Sequence, residues 1–375
     1  MSFNKKNNNI EDFVSILTSI DSNDDYFSFL DKVAPAFSLY LVNSFIDSKT
    51  WFEDNKHHDI NKYLYDPFMI YTKNFGKLHR PLTTILSYLV CLSGDIKFID
   101  EVISVASSIE HFQNAALIHD DIADKGELRR GVSCLHKQIG EGLAINAGDY
   151  GLSMVVGNVL RQLKGLKFSD AKILSIIEKL TLMEYMTIEG QAMDLGWARY
   201  DRFDISESDY VTMATKKSAY YSAAIPAVIG AICADATEVQ IEAMQNFGLK
   251  VGLAFQIKDD ILNVDKTNNK AALQKDFLSD ISEGKRTLAV VKTLEFTNLS
   301  EKNRFIEILR KNTSNAEEKL EAAKIMIECG ALDYCSMYAN KLSEDAKLTL
   351  KDKFEDSIWY DILISMADWA GLRSC

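Results

Sequence analysis

The sequence predicts an all-α protein, and three observations carry that prediction. Long stretches place apolar residues at the three- and four-residue spacing of an amphipathic helix. Only four prolines occur in 375 residues, and neither strand alternation nor Asn-Gly hairpin signals are found. The loops between helical patterns are short, and no Pro-, Gly- or Ser-rich linker divides the chain, so we expect a single-domain helical bundle.

The helical patterns follow a polar leader. Residues 1–25 are rich in Asn, Lys, Asp and Ser, which predicts a partly disordered leader before a domain at 26–375. Apolar periodicity then predicts eight helices, with several more from about 285 to the C-terminus. The eight span 26–46, 57–72, 81–92, 98–125, 141–163, 170–196, 207–234 and 238–265.

Charge and cysteine content exclude some classes of protein. A net charge of −12 argues against nucleic acid as a partner, because binding its phosphates needs a basic surface. The six cysteines are scattered without a C-x-x-C pair, as expected for reduced thiols in the cytoplasm. The longest apolar run, 223–234, is too short to span a bilayer, and the polar N-terminus lacks a signal peptide's apolar core.

One acidic stretch is placed where a helix disfavours it. In "LIHDDIAD", Asp120 and Asp124 are four residues apart and share one helix face, Asp121 is adjacent in sequence, and Gly126 is a natural stop after the last turn. The C-terminus of a helix carries partial negative charge, so three carboxylates repel one another and the helix dipole. We expect no cationic side chain to neutralise these acids, although a single D-D-x-x-D more often marks a solvated helix face.

A second copy of the pattern favours a metal site. The stretch "QIKDDILNVD" at 256–265 also ends a long apolar helix pattern, which suggests two facing helices that deliver acids to one cavity. Hard divalent cations would relieve the repulsion, and magnesium prefers one or two carboxylates plus a substrate's phosphates. Asp120, Asp124 and Asp259 are therefore candidate magnesium ligands, and a polyphosphate is the candidate substrate.

Basic residues provide a second candidate anion site. Pro81 suits the first position of a helix, which places Lys77 and Arg80 in the loop before a helix N-terminus that favours phosphate. Arg129 and Arg130 follow the first acidic stretch, and guanidinium groups suit phosphate oxygens. Motifs of nucleotide-binding loops and zinc proteases are absent from the sequence.

With these stretches in hand, the sequence resembles the trans-isoprenyl diphosphate synthases, the family of farnesyl and geranylgeranyl diphosphate synthases, over about residues 70–295. The resemblance implies catalytic roles for Asp120, Asp121, Asp124, Lys217, Asp259 and Lys275. It implies substrate binding by Gly76, Lys77, Arg80, Gln113, Arg129, Arg130, Lys217, Ser218, Gln256, Lys275 and Lys285. The second motif ends in Asn263 rather than aspartate, which leaves that position doubtful as a metal ligand.

The resembled family supplies an expected fold and reaction. It implies a helical bundle around a deep cavity, a homodimer, and condensation of an allylic diphosphate with isopentenyl diphosphate. Three magnesium ions held by Asp120, Asp124 and Asp259 would assist departure of the pyrophosphate. Lys77, Arg80, Gln113 and Arg130 would hold isopentenyl diphosphate against the allylic cation.

Three residues on the first acidic helix are the predicted ruler of product length. In the resembled family, bulky aromatics four and five positions before the first aspartate stop growth at fifteen carbons. Here those positions are Ala116 and Ala115. Phe112 lies about 12 Å back along the helix and is the first large side chain. We therefore expect mainly the twenty-carbon geranylgeranyl diphosphate.

Three alternatives stay open at the level of the sequence. A farnesyl diphosphate synthase would differ only in product length. A terpene cyclase of the same helical class would need an aspartate-rich site but not the second anion site at Lys77 and Arg80. A regulatory partner of a related synthase would have eroded acids, whereas both motifs here are nearly whole.

Overall fold

The computed structural model describes residues 3–48, 57–97, 99–163, 168–264 and 278–372. Helices make up most of these residues, which confirms the predicted fold class. The α-helices are α1 (Phe3–Leu17), α2 (Tyr26–Ser48), α3 (His58–Ile60), α4 (Asp66–Lys73), α5 (His79–Cys91), α6 (Ile99–Ala123), α7 (Leu135–Ile139), α8 (Glu141–Leu163), α9 (Asp170–Arg199), α10 (Glu207–Ala214), α11 (Ile225–Cys233), α12 (Glu238–Val264), α13 (Ser279–Ser282), α14 (Leu288–Phe296), α15 (Leu299–Arg310), α16 (Ala316–Glu328), α17 (Ala331–Leu350) and α18 (Ile358–Leu372).

Two predicted helices contain wider, π-helical turns. Asn61–Tyr65 lies between α3 and α4, and Thr215–Ala224 lies between α10 and α11. A π-turn inserts extra residues without ending the helix, so apolar spacing read from sequence does not separate it from an α-turn. We call Thr215–Ala224 the π-segment.

A small hairpin is the other departure from the all-helical prediction. Strands β1 (Leu128–Arg129) and β2 (Val132–Ser133) pair antiparallel directly after the first acidic motif. Strands of two residues are too short to produce the alternation that predicts a strand from sequence.

Helix α1 lies within the stretch predicted as a polar leader. Its side chains Phe13 and Leu17 are buried, and α1 packs against α2. The polar composition of residues 1–25 therefore hides a short apolar face that a neighbouring helix covers.

Contacts divide the chain into two compact units. The first comprises Met1–Leu182, Ile225–Gln245 and Asp352–Met366. Within it α6 packs against α5 and α8, and α5 packs closely against α11. Nearly every side chain in the first two thirds of α6 is buried, as expected for a central helix.

The second unit comprises Met183–Ala224, Asn246–Lys351 and Ala367–Cys375. Within it α14 packs against α10, α15, α16 and α17. Tyr210, Phe247 and Phe305 are fully buried and form large parts of its interior.

Among the described residues, no helix has both the length and the apolar character needed to cross a membrane.

Candidate active site

The first aspartate motif occupies the C-terminal end of α6. The N–H of Asp124 donates to the carbonyl of Asp120 at 2.9 Å, so these two residues lie one turn apart on one face, as predicted. The helix then ends with Lys125 in the left-handed conformation, at φ 54°. The N–H of Gly126 returns to the carbonyl of Asp121, as in a Schellman motif. The predicted stop at Gly126 is therefore wrong by one residue.

A side chain at position 126 would make only ordinary van der Waals contacts. A Cβ built on it would lie 3.4 Å from Sγ of the buried Cys134 and 3.7 Å from the carbonyl of Asp121. The left-handed backbone at the end of the helix is taken by Lys125 rather than by the glycine, at a cost of about 1 kcal/mol.

Asp121 points into the protein and is held by two side chains. Its side chain is 1% exposed. The Arg129 Nε donates to its Oδ1 at 2.7 Å, and the Tyr71 hydroxyl donates to its Oδ2 at 3.4 Å. Burial raises the pKa of Asp121, and the charge of Arg129 acts in the opposite direction. Asp121 therefore positions Arg129 beside the motif.

The expectation that no cation neutralises these acids is wrong. Arg129 Nη2 also lies 3.5 Å from Asp120 Oδ2, so one guanidinium contacts two of the three carboxylates. The sequence could not show this contact, because the short hairpin that turns Arg129 back toward α6 was not predicted.

Asp120 and Asp124 fit a magnesium site in which a substrate supplies the other ligands. The described residues hold no group of three or more His, Cys, Asp or Glu side chains arranged to enclose a metal ion. Asp120 and Asp124 are partly exposed on one face, which provides the one or two carboxylates that magnesium takes when phosphates supply the other ligands.

The second predicted anion site surrounds the start of α5. Leu78 adopts the left-handed conformation at φ 53°, and the helix begins at His79. Arg80 therefore lies in the first helical turn rather than in the loop, and Pro81 is the third helical residue rather than the first. Proline is tolerated there because the first four N–H groups of a helix have no intrahelical partner. Lys77 is exposed in the loop, as predicted.

A buried glutamate on α6 lies close to the arginines of this second site. Glu110 is 2% exposed, and its Oε1 lies 3.7 Å from Arg130 Nη2. Burial raises the pKa of Glu110, whereas the charges of Arg130 and Arg80 lower it. A Cβ on Gly76 would lie 3.3 Å from the same Arg130 guanidinium, and Gln113 is buried three residues after Glu110 on α6. Sequence reasoning missed Glu110.

The two arginines of the hairpin contact different groups of residues. Arg130 and Gly131 both have positive φ, at 53° and 78°, as the two central residues of a type I′ turn require. Arg130 Nη1 donates to the carbonyl of Asn74 and lies 3.4 Å from the Asn114 side-chain oxygen. Arg129 contacts the aspartate motif, whereas Arg130 lies in the Glu110 cluster.

The second aspartate motif ends α12, as predicted. Asp259 is partly exposed, whereas Asp260 is buried. Asp260 accepts hydrogen bonds from the Tyr210 hydroxyl at 2.8 Å and from Gln256 Nε2 at 2.7 Å. Burial and the nearby Asp280 raise the pKa of Asp260 to about 7. Asp259 is therefore the more accessible candidate metal ligand of this pair.

Asn263, the departure from the family's aspartate, has a structural role. Its side-chain nitrogen donates to Ser279 Oγ at 3.1 Å, and its side-chain oxygen accepts from the N–H of Asp280 at 3.3 Å. An amide makes both bonds, whereas a carboxylate cannot donate. Both polar atoms of this buried side chain are therefore hydrogen-bonded within the protein.

The π-segment holds two predicted substrate-binding residues. Lys217 Nζ donates to Asp194, a buried carboxylate of α9, and Ser218 Oγ donates to Gln256 Oε1 at 2.6 Å. Asp194 was not singled out from the sequence. Lys285 pairs with Glu283, and Lys275 lies outside the described residues.

The three predicted ruler residues differ in exposure. Phe112 and Ala115 are buried, whereas Ala116 is partly exposed. Ala115 faces α8: a Cβ built on Gly151 would lie 2.8 Å from Ala115 Cβ and 2.5 Å from Phe68. Space beside α6 is therefore smaller at position 115 than at position 116.

Comparisons with known proteins show what this chain is similar to. The polyprenyl synthetase family model matches residues 61–326, inside the predicted domain at 26–375. A geranylgeranyl pyrophosphate synthase of Geoglobus acetivorans is 34% identical over 82% of this chain and 89% of its own length. The geranylgeranyl pyrophosphate synthetase structure of Pyrococcus horikoshii is 26% identical, has a TM-score of 0.79, and aligns over 93% of this chain and 98% of its own. The geranylgeranyl pyrophosphate synthase structure of Corynebacterium glutamicum, complexed with isoprenyl diphosphate and magnesium, is 22% identical with a TM-score of 0.81 over 90% of this chain and 98% of its own, and shows a shared fold.

Proposed function

Because this chain belongs to the polyprenyl synthetase family, we propose that it is a trans-prenyltransferase that condenses isopentenyl diphosphate with an allylic diphosphate to give mainly geranylgeranyl diphosphate. The observation that carries the proposal is the division of two adjacent arginines, Arg129 at the aspartate motif and Arg130 in the Glu110 cluster. A reaction that joins two diphosphates needs two anion sites of this kind.

The allylic diphosphate binds at the aspartate motifs in this proposal. Asp120, Asp124 and Asp259 would hold Mg²⁺, three ions in all, which would supply positive charge to stabilise the departing diphosphate. Arg129, Lys217 and Lys275 donate to the same oxygens, with Lys285, Ser218 and Gln256 also contributing to binding. Fixed cations of this kind stabilise charge that develops as the carbon–oxygen bond breaks.

Isopentenyl diphosphate binds at the other cluster. Lys77, Arg80, Gln113 and Arg130 hold its diphosphate, beside the glycine at 76. Its double bond attacks the allylic cation, the new carbon–carbon bond forms, and the released diphosphate takes the proton. Apolar walls that exclude water protect the cation during this step.

Product analysis tests the reaction itself. The purified chain is incubated with isopentenyl diphosphate and with dimethylallyl, geranyl or farnesyl diphosphate, and products are measured by mass spectrometry. Chelation by EDTA abolishes turnover, and Asp120→Ala or Asp259→Ala lowers kcat by about 10²-fold or more. Hydrocarbon released from an allylic diphosphate alone would instead identify a terpene cyclase.

The adjacent arginines provide a matched pair of variants for the two sites. Arg129→Gln is expected to lower kcat, because its contact strengthens in the transition state, whereas Arg130→Gln is expected to raise KM for isopentenyl diphosphate. Thermal unfolding of both variants controls for the loss of the Asp121 and Glu110 contacts. The opposite pattern would show that the two sites are exchanged.

A homodimer is part of the proposal, as in the resembled family. Tyr185 and Ile188 on α9 support it, because they expose 64% and 60% of their surface on adjacent turns of one helix. Analytical ultracentrifugation of the chain and of Ile188→Lys measures the mass, and a monomer in both would contradict it. A cytoplasmic location stays a prediction from the sequence.

A further inference from the structure

The π-segment contacts α9 and α12 at glycine residues of those helices. A Cβ built on Gly190 of α9 would lie 2.1 Å from the backbone nitrogen of Lys217 and 2.5 Å from its Cα. A Cβ on Gly252 of α12 would lie 2.6 Å from the Cα of Ala219. Real side chains do not approach a backbone so closely, so only glycine fits at either position while the π-segment keeps its place.

Each glycine is followed, one turn later on the same helix, by a polar partner of the π-segment. Asp194 comes four residues after Gly190 and accepts from Lys217 Nζ. Gln256 comes four residues after Gly252 and accepts from Ser218 Oγ. Residues four apart share a helix face, so each helix offers a flat backbone contact and a side-chain partner side by side.

This closeness is not shared by every glycine of α9. Gly196 also lies on α9, and a Cβ built on it would meet no atom within 4 Å. The π-turn itself is a rare conformation that occurs often at functional sites. Helices α9 and α12 thus both pack against the π-segment, at the residues that carry the predicted substrate contacts.

We propose that Gly190 and Gly252 are positioning residues that set the location of Lys217 Nζ and Ser218 Oγ for ionisation of the allylic diphosphate. The proposal rests on the proposed role of Lys217 in binding that diphosphate. The glycines touch no substrate; they act through the backbone that carries the lysine and the serine.

The perturbation expected from Gly190→Ala follows from the distances. Relieving a 2.1 Å contact to the roughly 3.5 Å of ordinary van der Waals separation moves the backbone of Lys217 by more than about 1 Å. A misplacement of about 1 Å can cost about 10²-fold in rate. We expect Gly190→Ala to lower kcat by about 10²-fold and to leave KM for isopentenyl diphosphate unchanged. Gly196→Ala, the same substitution on the same helix, leaves kcat unchanged.

A double-mutant cycle separates positioning from loss of structure. If Gly190 acts through Lys217, then Gly190→Ala adds little further loss of kcat in a Lys217→Ala background. If the double variant instead loses kcat by the product of the two single losses, the proposal is overturned. Full activity of Lys217→Ala would instead show that the proposed role of Lys217 is wrong. If Lys217→Ala is inactive but Gly190→Ala is fully active, Lys217 keeps its proposed role and only the positioning role of Gly190 is refuted.

Gly252→Ala extends the test to the second helix, α12. It displaces Ala219, two residues after Lys217, and is expected to lower kcat in the same way. Circular dichroism and thermal unfolding establish that each variant folds. If Gly190→Ala and Gly252→Ala both fail to fold while Gly196→Ala folds, the glycines serve folding and the positioning proposal is wrong.

Discussion

Ala116→Phe is expected to shorten the product from twenty carbons to fifteen. Position 116 lies four residues before Asp120, about 6 Å back along α6, whereas Phe112 lies about 12 Å back. An aromatic ring at 116 therefore halves the length available beside the helix. Ala116 is partly exposed, so the ring has space to be accommodated without displacing a packed neighbour.

Ala115→Phe is the matched control, because the same substitution enters a packed contact. Ala115 is fully buried beside Gly151 and Phe68. Overfilling such a contact costs about 1–3 kcal/mol of unfolding free energy. We expect a lower midpoint of thermal unfolding for this variant and an unchanged midpoint for Ala116→Phe.

The assay is mass spectrometry of products formed from farnesyl or geranyl diphosphate with isopentenyl diphosphate. Phe112→Ala in the same assay is expected to release products longer than twenty carbons. The reasoning fails if Ala116→Phe still makes the twenty-carbon product, or if the unmodified chain stops at fifteen carbons.

Three further predictions test single residues. Lys77→Ala is expected to raise KM for isopentenyl diphosphate with kcat unchanged, since it removes uniform binding; a rise only in the allylic KM in steady-state kinetics would contradict this. Asn263→Asp loses the donor to Ser279 and adds a charge beside Asp280, so urea denaturation should show a loss of about 1–3 kcal/mol, while the magnesium dependence of activity stays the same. A changed magnesium dependence would make this residue a ligand after all. Lys125→Gly relieves a left-handed backbone and should raise the unfolding free energy by about 1 kcal/mol or less; destabilisation would show that Lys125 contributes contacts beyond its backbone.

The helices that carry the acids could be predicted closely from the sequence. The expected helices 98–125 and 238–265 correspond to Ile99–Ala123 and Glu238–Val264. Both are long, strongly apolar patterns that end in charged residues, and such patterns are set locally. The order of the motifs was sufficient to indicate the family, because each motif is a short run of adjacent residues.

Features that depend on contacts between distant residues could not be predicted. Glu110 looks like one polar residue in an apolar helix until Arg130 is placed beside it. Tyr71 reaches Asp121 from fifty positions away. The start of α5 was misjudged because Leu78, not the residue before Pro81, takes the backbone conformation that begins the helix. Nothing in the local pattern of these residues indicates their partners.

The turn at Arg130 and Gly131 has a consequence for changes in chain length. Surface hairpins usually tolerate insertions and deletions. Here one residue added or lost before the turn would shift the strand that carries Arg129 and the turn that carries Arg130 together, because the pairing register of a hairpin is fixed by its turn and loop length. Such a change would move both arginines away from their present contacts at once, without altering either one chemically. This hairpin is therefore expected to vary in the sequence of its exposed positions, such as Val132, but not in its length.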